Sequence, residues 1–312
     1  MWIAGLHHGH DASTCLLKNG EIVFYSEEER YSRKRHDTKG QNVFNQIKTY
    51  TKELDHLCLW ENNLSNSKWK LPNFNTNLNI KNFSFFPDHH LFHASVAFYN
   101  SGFDKAVCVV VDGRGQVYSE EQQERETIFL AEYPARFEPV WRNFDDNPIC
   151  DITKFGQLYK RSMMGTGFVR KEHGKFMGLT SYSNKRLPFT NLKTDIIDKI
   201  PKYKEDFQLS ADYANTIQEY LQEQLLEIIK YAVEKTGCKN VVLSGGFIQN
   251  VRANYYYRKN LPKDVLLYCE PLCYDGGLSM GLAKYAHHKL TGDSTIRKQE
   301  TLYYGQDYSN QN

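Results

Sequence analysis

At 312 residues the chain is long enough for two lobes with cores of their own, and 40% hydrophobic and 24% charged content is ordinary for a water-soluble globular protein. A formal net charge of +2 exerts no global pull toward nucleic acid or membrane. No run approaches the ~20 apolar residues of a membrane span and no charged-then-apolar leader opens the sequence, so a cytoplasmic protein without membrane contact is expected. Seven cysteines, an odd number with no C-x-x-C spacing, fit that compartment. Cys269 and Cys273 flank Pro271 and read as buried thiols rather than as a zinc site.

The chain opens on three short apolar runs, Trp2–Leu6, Ser13–Leu17 and Glu21–Tyr25, the last two joined by Lys18-Asn19-Gly20. They predict a three-stranded meander. The turn between the first two, Gly5-Leu6-His7-His8-Gly9-His10-Asp11-Ala12-Ser13, holds glycines that let backbone approach an anion, and His10 or His8 as acid, base or anion ligand. Alone, such a turn is unremarkable. Glu27 to His36 follows the third strand; its Arg30, Arg33, Lys34 and Arg35 suit phosphate groups or a nucleic-acid backbone, although a solvated charged face is the commoner meaning of such a run. A helix is expected over Gln41–Glu53, a strand over His56–Trp60, and an Asn-rich surface loop over 61–80 that carries Lys68-Trp69-Lys70.

Next comes Asp88-His89-His90-Leu91-Phe92-His93-Ala94. On a helix, His89 and His93 share one face and can ligate a divalent metal. Taken alone, two histidines at this spacing are more often ordinary surface or core residues. The β-branched run Ala106–Val111 predicts a buried strand that delivers Asp112 and Gly113 at its carboxyl end, where a carboxylate usually faces a ligand. Strands are expected at Thr127–Tyr133 and Phe137–Trp141. Lys175 is a candidate phosphate ligand. An amphipathic helix should run from an N-cap at Ser210 to a stop at Gly237, with Ala214, Ile217, Leu221, Leu225, Ile228 and Ala232 inward. Strand Asn240–Ser244 leads through Gly245-Gly246 to a helix ending near Lys259, a moderate phosphate signal carried by Gly245, Gly246 and Asn250. Strand Val265–Cys269 leads to Asp275-Gly276-Gly277 and a helix over Leu278–Lys289. Two histidines and two aspartates, His89, His93, Asp112 and Asp275, thus converge on one expected metal.

Meander, helices and strands, then the same again, predict an α/β duplicated fold of two lobes with an interlobe cleft, similar to actin, the sugar kinases and the heat-shock ATPases. Residues 1–105 would form the N-terminal lobe, 106–292 the C-terminal lobe and 293–312 a tail.

The motifs together resemble the O-carbamoyltransferase family known from nodulation-factor and antibiotic biosynthesis. The resemblance rests on Gly9-His10-Asp11-Ala12-Ser13, Glu27-Glu28-Glu29-Arg30, Arg35-His36-Asp37, His89-His90-x-x-His93-Ala94, Asp112-Gly113-x-Gly115, Gly174-Lys175-x-Met177-Gly178-Leu179-x-x-Tyr182, Leu243-Ser244-Gly245-Gly246-x-x-x-Asn250 and Asp275-x-Gly277. It implies ATP and carbamoyl phosphate as substrates, a carbamoyl-adenylate intermediate with pyrophosphate leaving, and transfer of the carbamoyl group to an acceptor hydroxyl. It also implies Fe(II) on the quartet, where ligand chemistry alone would not choose iron over zinc or manganese. His10, Asp11 and His36 match as catalytic residues, and Arg35, Lys175, Gly245, Gly246, Asn250 and Gly276 as substrate- or nucleotide-binding ones. Arg35 stands where the family has lysine; it keeps the charge but cannot act as a base.

Family members usually carry a further C-terminal domain, and Leu302–Tyr308 resembles the start of the linker to it. Either a separate adenylate-forming protein is the partner, leaving this chain a nucleotide-binding subunit, or this chain performs both steps. The acceptor is a small sugar, antibiotic or nucleoside, or a hydroxymethylated pyrimidine with DNA contact, the latter motivated by Arg30 to His36, Lys68-Trp69-Lys70 and the abundant aromatics.

Overall fold

A computed structural model describes residues 1–60, 77–86, 88–113, 115–116, 123–144, 155–189 and 200–305. Lys68-Trp69-Lys70 lies outside them. The first half builds a five-stranded sheet from β1 (Trp2–His7), β2 (Ser13–Lys18), β3 (Glu21–Glu27), β4 (Glu53–Trp60) and β5 (Asn79–Phe86), in the order β3-β2-β1-β4-β5. The second half builds another from β6 (Lys105–Val111), β7 (Glu126–Glu132), β8 (Arg136–Asn143), β9 (Asn240–Ser244) and β10 (Leu266–Cys269). Its order, β8-β7-β6-β9-β10, repeats the first. In each half the meander is antiparallel and the two later strands add in parallel, β4 beside β1 and β9 beside β6. The duplicated, two-lobed α/β architecture expected from the sequence is present.

Helix α3 (His89–Ser101) and helix α8 (Leu278–Thr291) pack on each other between the sheets. Each covers the sheet of the opposite half: α3 lies against β6 and β9, α8 against β1 and β2. Strand β6 shows why its sequence is apolar throughout. Val107, Val109 and Val111 face the outer core with helix α6 (Phe207–Thr236), whereas Ala106, Cys108 and Val110 face the α3–α8 layer. Gly5 and Gly281 permit the close approach. A Cβ on Gly5 would meet the Ser279 carbonyl oxygen at 2.1 Å, and one on Gly281 the Phe92 carbonyl oxygen at 2.1 Å.

Several local expectations change. The helix expected over Gln41–Glu53 is only α2 (Gln41–Asn45), continued by a 3-10 turn over Gln46–Thr49, and Glu53 already begins β4. Asn45, Thr49 and Thr51 favour local side-chain bonds and turns over a helix interior; the Thr49 hydroxyl donates to the Gln46 carbonyl and that of Thr51 to Glu53. The loop expected to reach residue 80 gives way at Asn79 to β5, an edge strand with largely exposed side chains. Helices α1 (Glu29–Ser32), α4 (Phe155–Gly165) and α5 (His173–Leu179) add to those expected. Helix α6 is capped by Asp206, whose side chain accepts from the Leu209 amide, rather than by Ser210, which is buried inside the helix; it ends at Gly237 as expected. The six inward positions named for it are all buried. Among the described residues no helix is long and apolar enough to cross a membrane.

Candidate active site and metal centre

The quartet forms from three segments. His89 and His93 stand on the first turns of α3, whose N-cap Asp88 accepts from the Leu91 amide. Asp112 follows β6, and Asp275 opens the turn before α8. One ligand atom from each of the four lies within 4.8 Å of all the others. The His89 Nε2 is 3.2 Å from the His93 Nε2, 3.5 Å from Asp112 and 3.7 Å from Asp275, and the His93 Nε2 is 3.5 Å from Asp275. Metal–ligand bonds of 2.0–2.2 Å in tetrahedral or octahedral geometry place neighbouring donors about 3.0–3.5 Å apart, so the four donors fit one first-row divalent ion. Both histidines are buried, and each leaves a buried Nδ1 with no hydrogen-bond partner among the described residues. Burial works against a charge on His89, but the hydrogen bond to Asp112 and the charge of Asp275 outweigh it and raise the ring to about 9. Such a site concentrates negative potential where a cation can replace that proton.

The turn glycines serve the quartet. Gly245 has φ +97°, and a Cβ there would lie 2.3 Å from the Val111 carbonyl oxygen. This brings the Gly246 amide to donate to Asp112 Oδ1 at 3.0 Å. Asn250 caps α7 (Val251–Asn260) by accepting from the Ala253 amide, and its amide pairs with Gln218. The helix therefore starts after Asn250 rather than at the glycines. The Gly276 carbonyl accepts from Ser13 at 2.6 Å and from Tyr25 at 2.9 Å, so hydroxyls on β2 and β3 fix the turn carrying Asp275. Lys175 is exposed on α5 and ion-paired with Glu172.

His10, Asp11 and His36 come together although 25 residues separate Asp11 from His36. Asp11 is buried with φ +61°, and its two oxygens accept from the Nδ1 of His10 at 2.6 Å and from the Nδ1 of His36. The two rings stack 4.7 Å apart. The hydrogen bond to Asp11 raises the His10 pKa against the pull of burial. A carboxylate only accepts, so each Nδ1 carries the proton and each Nε2 of the neutral rings is the basic nitrogen. Arg35 is exposed beside them.

Sequence reasoning missed His7, which ends β1. Its ring is buried, Nε2 donates to the His10 carbonyl at 2.9 Å, and burial lowers it to about 4, so it is neutral. Trp60, also missed, lies edge-on to His89 at 5.0 Å and 6.1 Å from His7. Glu124 is wholly buried behind the site, bound by Thr127 and Arg142, and Thr127 in turn pairs with Nδ1 of His90. That explains a buried His90 outside the quartet. The strand-end position of His7 was the available signal; nothing local marks Glu124.

The family described as carbamoyltransferase, Kae1-like domain, second subdomain, matches residues 174–282. The chain is 21% identical to nodulation protein NolNO of Sinorhizobium fredii (strain NBRC 101917 / NGR234), over 96% of this chain and 49% of that protein. It is 26% identical to the uncharacterized protein MJ1051 of Methanocaldococcus jannaschii, over 89% of this chain and 56% of that one. The chain thus spans about half the length of these curated relatives. Among solved structures, full-length HypF in its phosphate- and nucleotide-bound form superposes with a TM-score of 0.59 at 17% identity, covering 94% of this chain and 56% of HypF. The activator of 2-hydroxyisocaproyl-CoA dehydratase from Clostridium difficile, with bound ADPNP, gives 0.55 at 13% identity, over 96% and 100% of the two chains. These likenesses establish the fold. Residues 174–282 of this actin-type fold are thus similar to the second subdomain of a Kae1-like carbamoyltransferase domain, and the chain as a whole is similar in sequence to nodulation protein NolNO.

Proposed function

We propose that the chain is a metal- and ATP-dependent O-carbamoyltransferase: water cleaves carbamoyl phosphate to carbamate and phosphate, the carbamate displaces pyrophosphate from ATP to give a carbamoyl-adenylate, and the carbamoyl group passes from it to a hydroxyl acceptor. The observation that carries this reading is the assembly of two clusters, the quartet and His10–Asp11–His36, in a chain whose residues 174–282 match the second subdomain of a Kae1-like carbamoyltransferase domain. His89, His93, Asp112 and Asp275 would hold the ion, with Fe(II) the expected metal. A bound divalent ion supplies charge stabilisation for a carbonyl or phosphate oxygen. His10 Nε2 takes the acceptor's hydroxyl proton while the oxygen attacks the carbamoyl carbon. The new C–O bond forms, the bond to AMP breaks, and AMP leaves with the electron pair. Asp11 holds both imidazoles in the tautomer this requires, as the carboxylate does in a catalytic triad. Arg35, exposed next to His36 in sequence, would hold phosphate. The acceptor is a small sugar, antibiotic or nucleoside, or a hydroxymethylated pyrimidine.

Purified chain incubated with carbamoyl phosphate, ATP and a panel of hydroxyl compounds should yield acceptor carrying one added carbamoyl mass. Replacing His89→Ala together with His93→Ala should remove both bound metal and product; full activity without metal sinks the metal role. The likeness to solved structures that hold a nucleotide supports a second reading, a nucleotide-binding subunit that needs a separate adenylate-forming protein. Product formed by the chain alone excludes it.

A further inference from the structure

Three of the four proposed metal donors are tied to one ion-paired arginine behind them. Arg142, on β8, donates from Nη1 to Glu124 Oε1 and from Nη2 to Asp88 Oδ2, both at 2.8 Å. Asp88 uses its other oxygen to cap α3, accepting from the Leu91 amide at 3.0 Å. One guanidinium therefore fixes the carboxylate that starts the helix carrying His89 and His93. Glu124 extends the restraint. Its Oε1 also accepts from the Thr127 hydroxyl at 2.7 Å, and Thr127 pairs with His90 Nδ1 at 2.8 Å on the first turn of α3. Its backbone holds the far end of the turn after Asp112: the Gly115 amide donates to the Glu124 carbonyl and the Glu124 amide to the Gln116 carbonyl, both at 2.9 Å. The Asp112 amide donates to the adjoining Arg125 carbonyl at 3.3 Å. The Gln116 side chain then accepts from Trp60 Nε1 at 3.2 Å, and Trp60 stands edge-on to His89.

A wholly buried carboxylate such as Glu124 is a poor source of stability, because its partners must first offset the lost hydration. Its place between the start of α3 and the Asp112 turn gives it a use that an apolar side chain could not fill. We propose that Arg142 and Glu124 are positioning residues, which set His89, His93 and Asp112 at their metal-binding separations before an ion arrives. They supply no donor of their own. This role rests on the metal reading above and deepens it by naming what holds the donors. A donor set already in place loses less freedom on binding, so the ion is held more tightly and in one geometry. Lysine at position 142 would keep the charge, but a single ammonium cannot reproduce the planar fork that reaches Glu124 and Asp88 together.

The test uses Co(II) with the full chain stripped of metal, reading affinity by competition with a chelator and geometry by visible absorption. Arg142→Lys should weaken Co(II) binding about 10- to 100-fold and alter the absorption bands. Asp88→Asn is the milder probe. Asparagine caps a helix as well as aspartate does, but it has one oxygen for the two donors that now use two. Co(II) affinity should drop about 10-fold while the urea midpoint of the metal-free chain changes little. The double variant should bind no more weakly than Arg142→Lys alone, because both substitutions cut one link. Arg136→Lys, on the same strand with its Glu138 pair exposed, should bind Co(II) as the unmodified chain does. Should Arg142→Lys fail to fold, Asp88→Asn decides alone. Unchanged affinity in Asp88→Asn, losses that multiply in the double variant, or an equal loss in Arg136→Lys each overturns the proposal. An unmodified chain that takes up no Co(II) instead overturns the metal reading, and the positioning role with it, so the two failures are told apart.

Discussion

Asp11 occupies a costly backbone conformation, about 1–2 kcal/mol for a residue with a Cβ, at the point where it touches two imidazoles. Its hydrogen bond keeps His10 more basic than an ordinary imidazole. A general base works deprotonated, so the acid limb of the kcat profile should lie above the usual imidazole range. In Asp11→Asn that limb should move to lower pH, because the partner that favours the charged ring is gone, and plateau kcat should fall about 10²- to 10⁴-fold. An unmoved limb would remove His10 from the base role. The reading of His10 from its motif anticipated the residue but not the pairing: Asp11 and His36 meet through a turn whose left-handed residues, at 11, 33 and 36, carry no sequence mark such as glycine. His7 was hidden for a related reason. Strand alternation settles which face a residue takes only when the strand's end is known, and β1 runs one residue past the expected Leu6.

Elements show why the quartet was legible and its supports were not. The i, i+4 histidines, the strand end at Asp112 and the Asp-Gly-Gly turn are local signals, and each lies where its element places it. Gly245-Gly246 read as a phosphate cradle; its packed role depends on Val111 and Asp112, more than 130 residues earlier, which no local pattern reports. Gly245→Ala should therefore destabilise the fold by about 2–4 kcal/mol in urea titration, since it combines left-handed strain with a backbone clash. It should also weaken metal uptake through Asp112, read by elemental analysis. Gly281→Ala makes a parallel case: it pushes α8 off the Phe92 carbonyl, next to His93, and should cost about 1–3 kcal/mol. β5 was unreadable because an edge strand rich in Asn, with exposed side chains, lacks the alternation that marks a half-buried one.

For the whole molecule, three buried histidines weigh against stability in acid. His7 and His288 are both lowered to about 4 by burial first, and His90 is held well below its ordinary value by burial and by His89. These rings are neutral when folded and take up protons near pH 6.5 when unfolded. Above about pH 6.5 neither state is charged and they leave stability unchanged. As pH falls from there toward 4 the unfolded chain binds more protons, so stability should drop. The share of the denaturant midpoint carried by these rings should hold above about pH 6.5 and fall from there to pH 5. Glu126 and Glu270 oppose it: burial pushes them up to about 8 and about 7, and they gain protons in the folded state as pH falls. His288→Phe, which keeps the stack on Tyr99 at 4.3 Å, should raise the midpoint at pH 5 relative to that at pH 7.5 by roughly one proton's share.

The exchange of α3 and α8 between the sheets has a consequence for biosynthesis. The strand pairs β1–β2 and β2–β3 are available early to a nascent chain, but the helix that seals their inner face follows every strand of the second sheet. Until α8 leaves the ribosome, Ile3, Cys15 and Leu17 lack the partners that bury them, and Asp275 is not yet present to join His89 and His93. Translation must pass residue 291 before the first lobe is dry and the proposed metal quartet complete. Any stop codon before α8 would leave an aggregation-prone chain without Asp275 rather than a smaller working lobe.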